Sequence, residues 1–159
     1  MEDDEGTIVL TNESLTRVLP TLYMSDYTTA HHPEVVKTHH ISRIIAIGTK
    51  KEHESYTRHP HVKTLRVYAS DDPDINIVSA FDACNQFIAS GSGRVLIHCF
   101  EGISQSAAIV LGYLIMRRQM RFWHAVDHLI RKRPCVQPNG GFLAQIFLLE
   151  KELQRKQSC

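Results

Sequence analysis

Val95-Leu96-Ile97-His98-Cys99-Phe100-Glu101-Gly102-Ile103-Ser104-Gln105-Ser106-Ala107 runs from an uninterrupted apolar triplet, through a polar loop containing a glycine, into a segment of helix formers. An apolar run this short, between the turn material Ser90-Gly91-Ser92-Gly93 and a polar loop, is expected of a central strand buried on both faces. A loop that curls from such a strand into a helix N-terminus turns successive backbone N–H groups inward and adds the positive end of the helix dipole. Residues 98–105 therefore form a candidate anion cradle. Cys99 stands at its start, where the same field would favour a thiolate, and a thiolate beneath a bound phosphoryl group is a nucleophile. Taken alone, Cys99 reads first as a small buried hydrophobe at a strand end, and it is the surrounding pattern that shifts the reading toward a nucleophile.

Outward from the loop, residues 107–116 are apolar all round, as in a helix buried in the middle of a domain. Upstream, Ile77, Phe81, Cys84 and Ile88 recur at helical spacing. Arg43-Ile44-Ile45-Ala46-Ile47-Gly48 is a short β-branched run stopped by glycine, and Val62-Lys63-Thr64-Leu65-Arg66-Val67-Tyr68 alternates like a half-buried strand. Short extended pieces are expected around Pro20 and a short helix after Pro33. Phe122, Val126, Leu129 and Ile130 mark a further helix, and Phe142, Ile146, Leu149 and Leu153 a last one. Strands alternating with helices, followed by a helix-rich end, argue for an α/β sandwich. Residues 1–10 read as a tail, with acidic residues 2–5 loose, and residues 11–157 as one domain.

Several segments, in order, resemble the dual-specificity branch of the protein tyrosine phosphatases, whose signature is His-Cys-x5-Arg followed by Ser or Thr. They are Leu19-Pro20-Thr21-Leu22-Tyr23-Met24, Arg94-Val95-Leu96-Ile97-His98-Cys99, and Arg131-Lys132-Arg133-Pro134 leading to Pro138-Asn139-Gly140-Gly141-Phe142-Leu143-Ala144-Gln145. The resemblance implies a central, mostly parallel sheet flanked by helices. It implies attack of Cys99 on phosphorus to give a cysteinyl-phosphate, with no metal and no cofactor. Asp71, in Tyr68-Ala69-Ser70-Asp71-Asp72-Pro73, falls where the family keeps the general acid that protonates the leaving group and then activates water. Asp72 is the adjacent competitor, and either carboxylate could instead cap the following turn. Ser106 falls where the family hydroxyl assists departure of the sulfur, although a serine in a first helical turn is also an ordinary cap. His98 matches the histidine that braces the loop and favours the thiolate.

The signature fails at one position, since the residue after Cys99-Phe100-Glu101-Gly102-Ile103-Ser104 is Gln105 rather than arginine. Glutamine supplies neither the permanent charge nor the planar two-pronged donor that grips phosphate oxygens. Removing a charged donor to an anion costs about 2–4 kcal/mol of transition-state stabilisation, or roughly a hundred- to a thousandfold in rate. Three readings stay open: a slow phosphatase toward phosphotyrosine and phosphoserine/threonine, a pseudophosphatase that binds phosphoproteins or a signalling partner without hydrolysis, and an engineered substitution. Arg131 and Arg133 could reach in to compensate, or could form a solvated basic helix end.

Composition sets the outer bounds. With 159 residues, 43% hydrophobic, the chain has the length and apolar share of one compact core. Lys plus Arg (18) nearly balances Asp plus Glu (17), so no general field gathers nucleic acid or an anionic membrane. The longest apolar run is about half of the roughly 20 residues a membrane span needs. The acidic start lacks signal-peptide character, and Cys159 does not sit where prenylation requires it. Cys84, Cys99, Cys135 and Cys159 show no disulfide or zinc spacing, which fits a reducing compartment: the cytoplasm, with the nucleus as a second location. Of the ten histidines, those other than His98 read as a solvated face. Phe100 and Glu101 disfavour a multiply charged inositide headgroup. Expected partners are phosphorylated proteins, a protein kinase among them, with no nucleic acid and no membrane; oligomeric state is left open. A low-pKa Cys99 should be sensitive to oxidants, whereas Cys84 fits packing better than a redox pair with it.

Overall fold

The computed structural model describes residues 14–55 and 59–158. The acidic tail and Cys159 lie outside the described residues. Strands β1 (Leu15–Leu19), β2 (Leu22–Ser25), β3 (Ile41–Gly48), β4 (Lys63–Tyr68) and β5 (Arg94–His98) form one sheet in the order β1-β2-β5-β3-β4. Only the β1/β2 pair is antiparallel. The sheet is thus mostly parallel, with β5 at its centre.

Alternation along the strands builds two cores. Leu22, Met24, Ile45, Ile47, Val95 and Ile97 face one side, where α4 (Phe81–Ala89), α5 (Gln105–Met116), α6 (Phe122–Lys132) and α7 (Gly140–Gln157) cover them. Tyr23, Ile44, Ala46 and Leu96 face the other, under the short helices α1 (Tyr27–His31) and α2 (Pro33–Thr38). The apolar triplet of β5 is therefore buried on both faces, and α5 is buried almost all round, as their sequences predict.

Two short helices carry no periodic signal and are set by caps. Asp26 accepts from the Thr29 amide at 2.8 Å to start α1. Thr49 and Glu52 form a reciprocal capping box that starts α3 (Lys50–Glu54). The segment from Ile77 begins as a 3-10 turn, Ile77–Ala80, before becoming α4. Gln145 holds the Ile77 amide there at 3.0 Å.

The solvated reading of the histidines fails for His53 and His59, which are 5% and 8% exposed. Their Nε2–H groups donate to Val67 O at 2.8 Å and Ala30 O at 2.7 Å. His53 thus ties α3 to β4, and His59 ties the segment before β4 to α1.

Register brings Ser25, Ala46 and His98 into line at the carboxyl ends of β2, β3 and β5. This edge, where the strand order reverses direction, is where open parallel sheets place their ligands.

Candidate active site

The loop after β5 is held in shape by its carbonyls. Phe100 O accepts from the Tyr27 amide and Ile103 O from the Gln137 amide, both at 2.9 Å. Gly102 O accepts from Arg133 Nε at 2.9 Å. Because the carbonyl and the following N–H of a peptide point in opposite directions, these outward carbonyls aim the amides of Glu101, Ile103 and Ser104 inward. The chain turns at Gly102, with φ of +69°, where a Cβ would lie 2.8 Å from the Ser25 backbone. Only glycine fits both the left-handed conformation and the space. No side chain caps α5, which leaves its N-terminal amides to the loop.

Cys99 is 1% exposed, beneath this loop. Its Sγ accepts from the Gly102 amide at 3.2 Å and lies 3.0 Å from Ser106 Oγ. The Gly102 amide thus donates to the sulfur, while in the Ser106 contact either the thiol or the hydroxyl can donate; a thiolate at Cys99 would accept from both. Ser106 faces the sulfur, not the helix end.

His98 braces the loop with Nδ1 3.3 Å from Cys99 O. Burial drives its pKa down to about 3, reinforced by the neighbouring His31, His53 and His59, while the bond to Cys99 O pulls the other way. His98 is therefore neutral and supports the sulfur by geometry, with no charge of its own.

Asp71 and Asp72 separate clearly. Asp71 Oδ1 accepts from Ser104 Oγ at 2.6 Å and from Asn139 Nδ2 at 2.8 Å, which turns the carboxylate to the loop. Asp72 Oδ1 accepts from the Asp74 amide at 2.8 Å and shapes the turn. Asn139 also caps α7, its Oδ1 taking the Phe142 amide at 2.9 Å, and its own amide donates to Ser104 Oγ at 3.0 Å. The acid loop lies tight on this helix start, since a Cβ on Gly141 would meet Pro73 O at 2.1 Å.

Gln105 is 7% exposed, and its Nε2 donates to Ala69 O at 3.3 Å. The side chain thus joins the acid loop to α5 instead of reaching across the cradle. The depression beside it, about 220 Å³, is walled by Glu52, Asp71, Phe100, Glu101, Ile103 and Ser104 along with Gln105. Every charged side chain in that lining is a carboxylate.

Neither candidate arginine lines the depression. Arg131 is exposed and pairs with Asp127 at 2.8 Å. Arg133 corrects the reading of a solvated helix end: it is 4% exposed, bonded to Gly102 O and, through Nη1, to Thr16 Oγ1 at 3.0 Å. It props the loop from behind. Cys84 sits in the main core, its thiol pushed up to about 12 by burial. Among the described residues no group of three His, Cys, Asp or Glu side chains is placed to hold a metal ion, and no helix is long and apolar enough to cross a membrane.

Sequence reasoning missed Asn139 as part of the site, weighed Arg133 only as a compensating cation and not as a prop of the loop, and missed Glu52. The capping patterns Pro-Asn-Gly-Gly and Thr-Lys-Lys-Glu were the available signals for the first and last.

The sequence profile of the dual specificity phosphatase catalytic domain matches residues 22–152. A probable dual specificity protein phosphatase of Dictyostelium discoideum is 33% identical over 146 residues, covering 89% of this chain and 65% of that protein. Dual specificity protein phosphatase 1 of Arabidopsis thaliana is 34% identical over 139 residues, covering 84% and 67%. The chain thus spans about two thirds of the length of these relatives. The crystal structure of human DUSP28 superposes with a TM-score of 0.82 at 25% identity, covering 89% of this chain and 95% of that one. That of the human tyrosine phosphatase-like serine/threonine/tyrosine-interacting protein gives 0.82 at 28% identity, covering 88% and 97%. With the profile spanning most of the chain and the fold shared throughout, the chain belongs to the dual specificity phosphatase family.

Proposed function

We propose that this domain is a slow cysteine-dependent phosphatase toward phosphotyrosine and phosphoserine/threonine in proteins, with turnover limited by Gln105. The observation that carries the reading is the sulfur of Cys99 held by the Gly102 amide and Ser106 Oγ while Gln105 is committed to Ala69 O. In this reading Cys99 attacks phosphorus, the P–O bond to the leaving group breaks, and Asp71 delivers the proton that the leaving oxygen takes. Water activated by Asp71 then releases phosphate, with Ser106 stabilising the departing sulfur. The inward amides of residues 101, 103 and 104 and the uncapped start of α5 bind the phosphoryl oxygens. What is missing is a cation that tightens its grip as charge shifts toward the transition state.

The commitment of Gln105 to Ala69 O, with no cation lining the cradle, favours a second reading, a module that binds phosphoproteins or a signalling partner without hydrolysing them. Aryl phosphate and a doubly phosphorylated peptide, assayed with wild type, Cys99→Ser and Asp71→Ala, separate the two. Turnover that disappears in both variants sustains the slow enzyme. Phosphopeptide binding with no turnover above the Cys99→Ser control establishes the second reading instead.

A further inference from the structure

The walls of the depression beside the loop carry charge of one sign. Glu52, Asp71 and Glu101 contribute carboxylates, and no lysine or arginine lines it. Glu52 is fixed at the rim by its own helix cap, Oε1 accepting from Thr49 Oγ1 at 3.0 Å. Glu101 is exposed at the loop tip and, among the described residues, makes no hydrogen bond or ion pair. Gln105, more than nine-tenths buried in the same wall, uses only its Nε2 in a hydrogen bond among the described residues. The amide cradle behind them is built for an anion, yet its approach offers a phosphate dianion only repulsion.

The charge balance closes if the ligand brings its own cation. We propose that this pocket selects phosphorylated residues flanked by lysine or arginine, with Glu52 and Glu101 as the specificity-determining residues. The phosphoryl group occupies the amide cradle. The flanking cation rests between the phosphate and the rim carboxylates, supplying from the ligand the positive charge that Gln105 does not. This rests on the phosphate-binding reading of the loop given above, but not on turnover.

The test uses fluorescence anisotropy of two labelled phosphotyrosine peptides, identical except that lysines or glutamates flank the phosphotyrosine, together with the unphosphorylated lysine peptide. At low ionic strength the lysine phosphopeptide should bind roughly 3- to 10-fold more tightly than the glutamate one, as expected of two rim charge pairs. The preference should shrink as salt is added. Glu52→Gln/Glu101→Gln, in which glutamine can still serve the Thr49 cap, should bring the two phosphopeptides to within about twofold of each other. Equal affinities in wild type, or a preference unchanged in the double variant, would overturn the proposal. So would an unphosphorylated lysine peptide that binds as tightly as its phosphorylated form. A lysine preference in a protein without Cys99-dependent turnover would leave this inference standing while removing the slow-enzyme reading; turnover without the preference would do the reverse.

Discussion

Asn139 Nδ2 donates a 2.8 Å hydrogen bond to Asp71 Oδ1, joining the start of the last helix to a loop 68 residues earlier. The same side chain caps α7 through Oδ1, so one residue fixes both the helix and the carboxylate that faces the loop. Asn139→Ala should cost about 1 kcal/mol of stability as a lost cap. It should also lower any Cys99-dependent turnover by misplacing Asp71. The loss should shrink with an aryl phosphate whose leaving group departs without a proton. An equal loss with both kinds of leaving group would show that Asn139 does not act through Asp71.

Arg133 is buried behind the loop with its Nε on Gly102 O. Arg133→Met removes the charge but leaves that carbonyl and Thr16 Oγ1 without their donors. Denaturant unfolding should show a loss of about 1–3 kcal/mol, and inorganic phosphate should bind more weakly as the Gly102 peptide relaxes. A variant with unchanged stability would show that Arg133 does not hold the loop.

Gly102 adopts φ of +69° against the Ser25 backbone. Gly102→Ala meets both a conformational and a steric penalty, so a destabilisation of at least about 1 kcal/mol is expected. The Gly102 amide should also withdraw from Cys99 Sγ, which alkylation kinetics of Cys99 would register as a changed rate.

His98 titrates near 3 in the folded chain, against an ordinary value of 6.5. A base with a depressed folded pKa leaves the unfolded chain binding more protons, so stability is lost as pH falls from about 6.5 toward 3. The slope from this one group is at most about 1.4 kcal/mol per pH unit. His31, half-buried with its pKa lowered chiefly by burial, adds to the loss in the same direction. Denaturant midpoints at pH 7 and pH 5 should differ less in His98→Gln than in wild type. An equal difference in both would place the acid sensitivity elsewhere.

The strands, the long helices and the position of the loop were legible because burial on a sheet or helix face leaves a periodic trace. Val95-Leu96-Ile97 shows this most directly, since its apolar continuity reports burial on both faces of the central strand. Helices α1 and α3 were hidden because five residues cannot repeat a pattern. Arg133, His53 and His59 looked solvent-facing because composition cannot show which polar side chain finds a buried carbonyl. Gln105 was legible as a missing charge. Its bond to Ala69 O depends on where a distant loop comes to rest, which no local pattern records.

The missing cation at position 105 is what holds turnover down. The most direct test of that limit compares turnover of an aryl phosphate by wild type, Gln105→Arg and Cys99→Ser. Restoring the guanidinium should raise kcat/KM by about a hundred- to a thousandfold over wild type, with Cys99→Ser inactive. A Gln105→Arg variant no faster than wild type, or a wild type already as fast as that variant is expected to be, would contradict it.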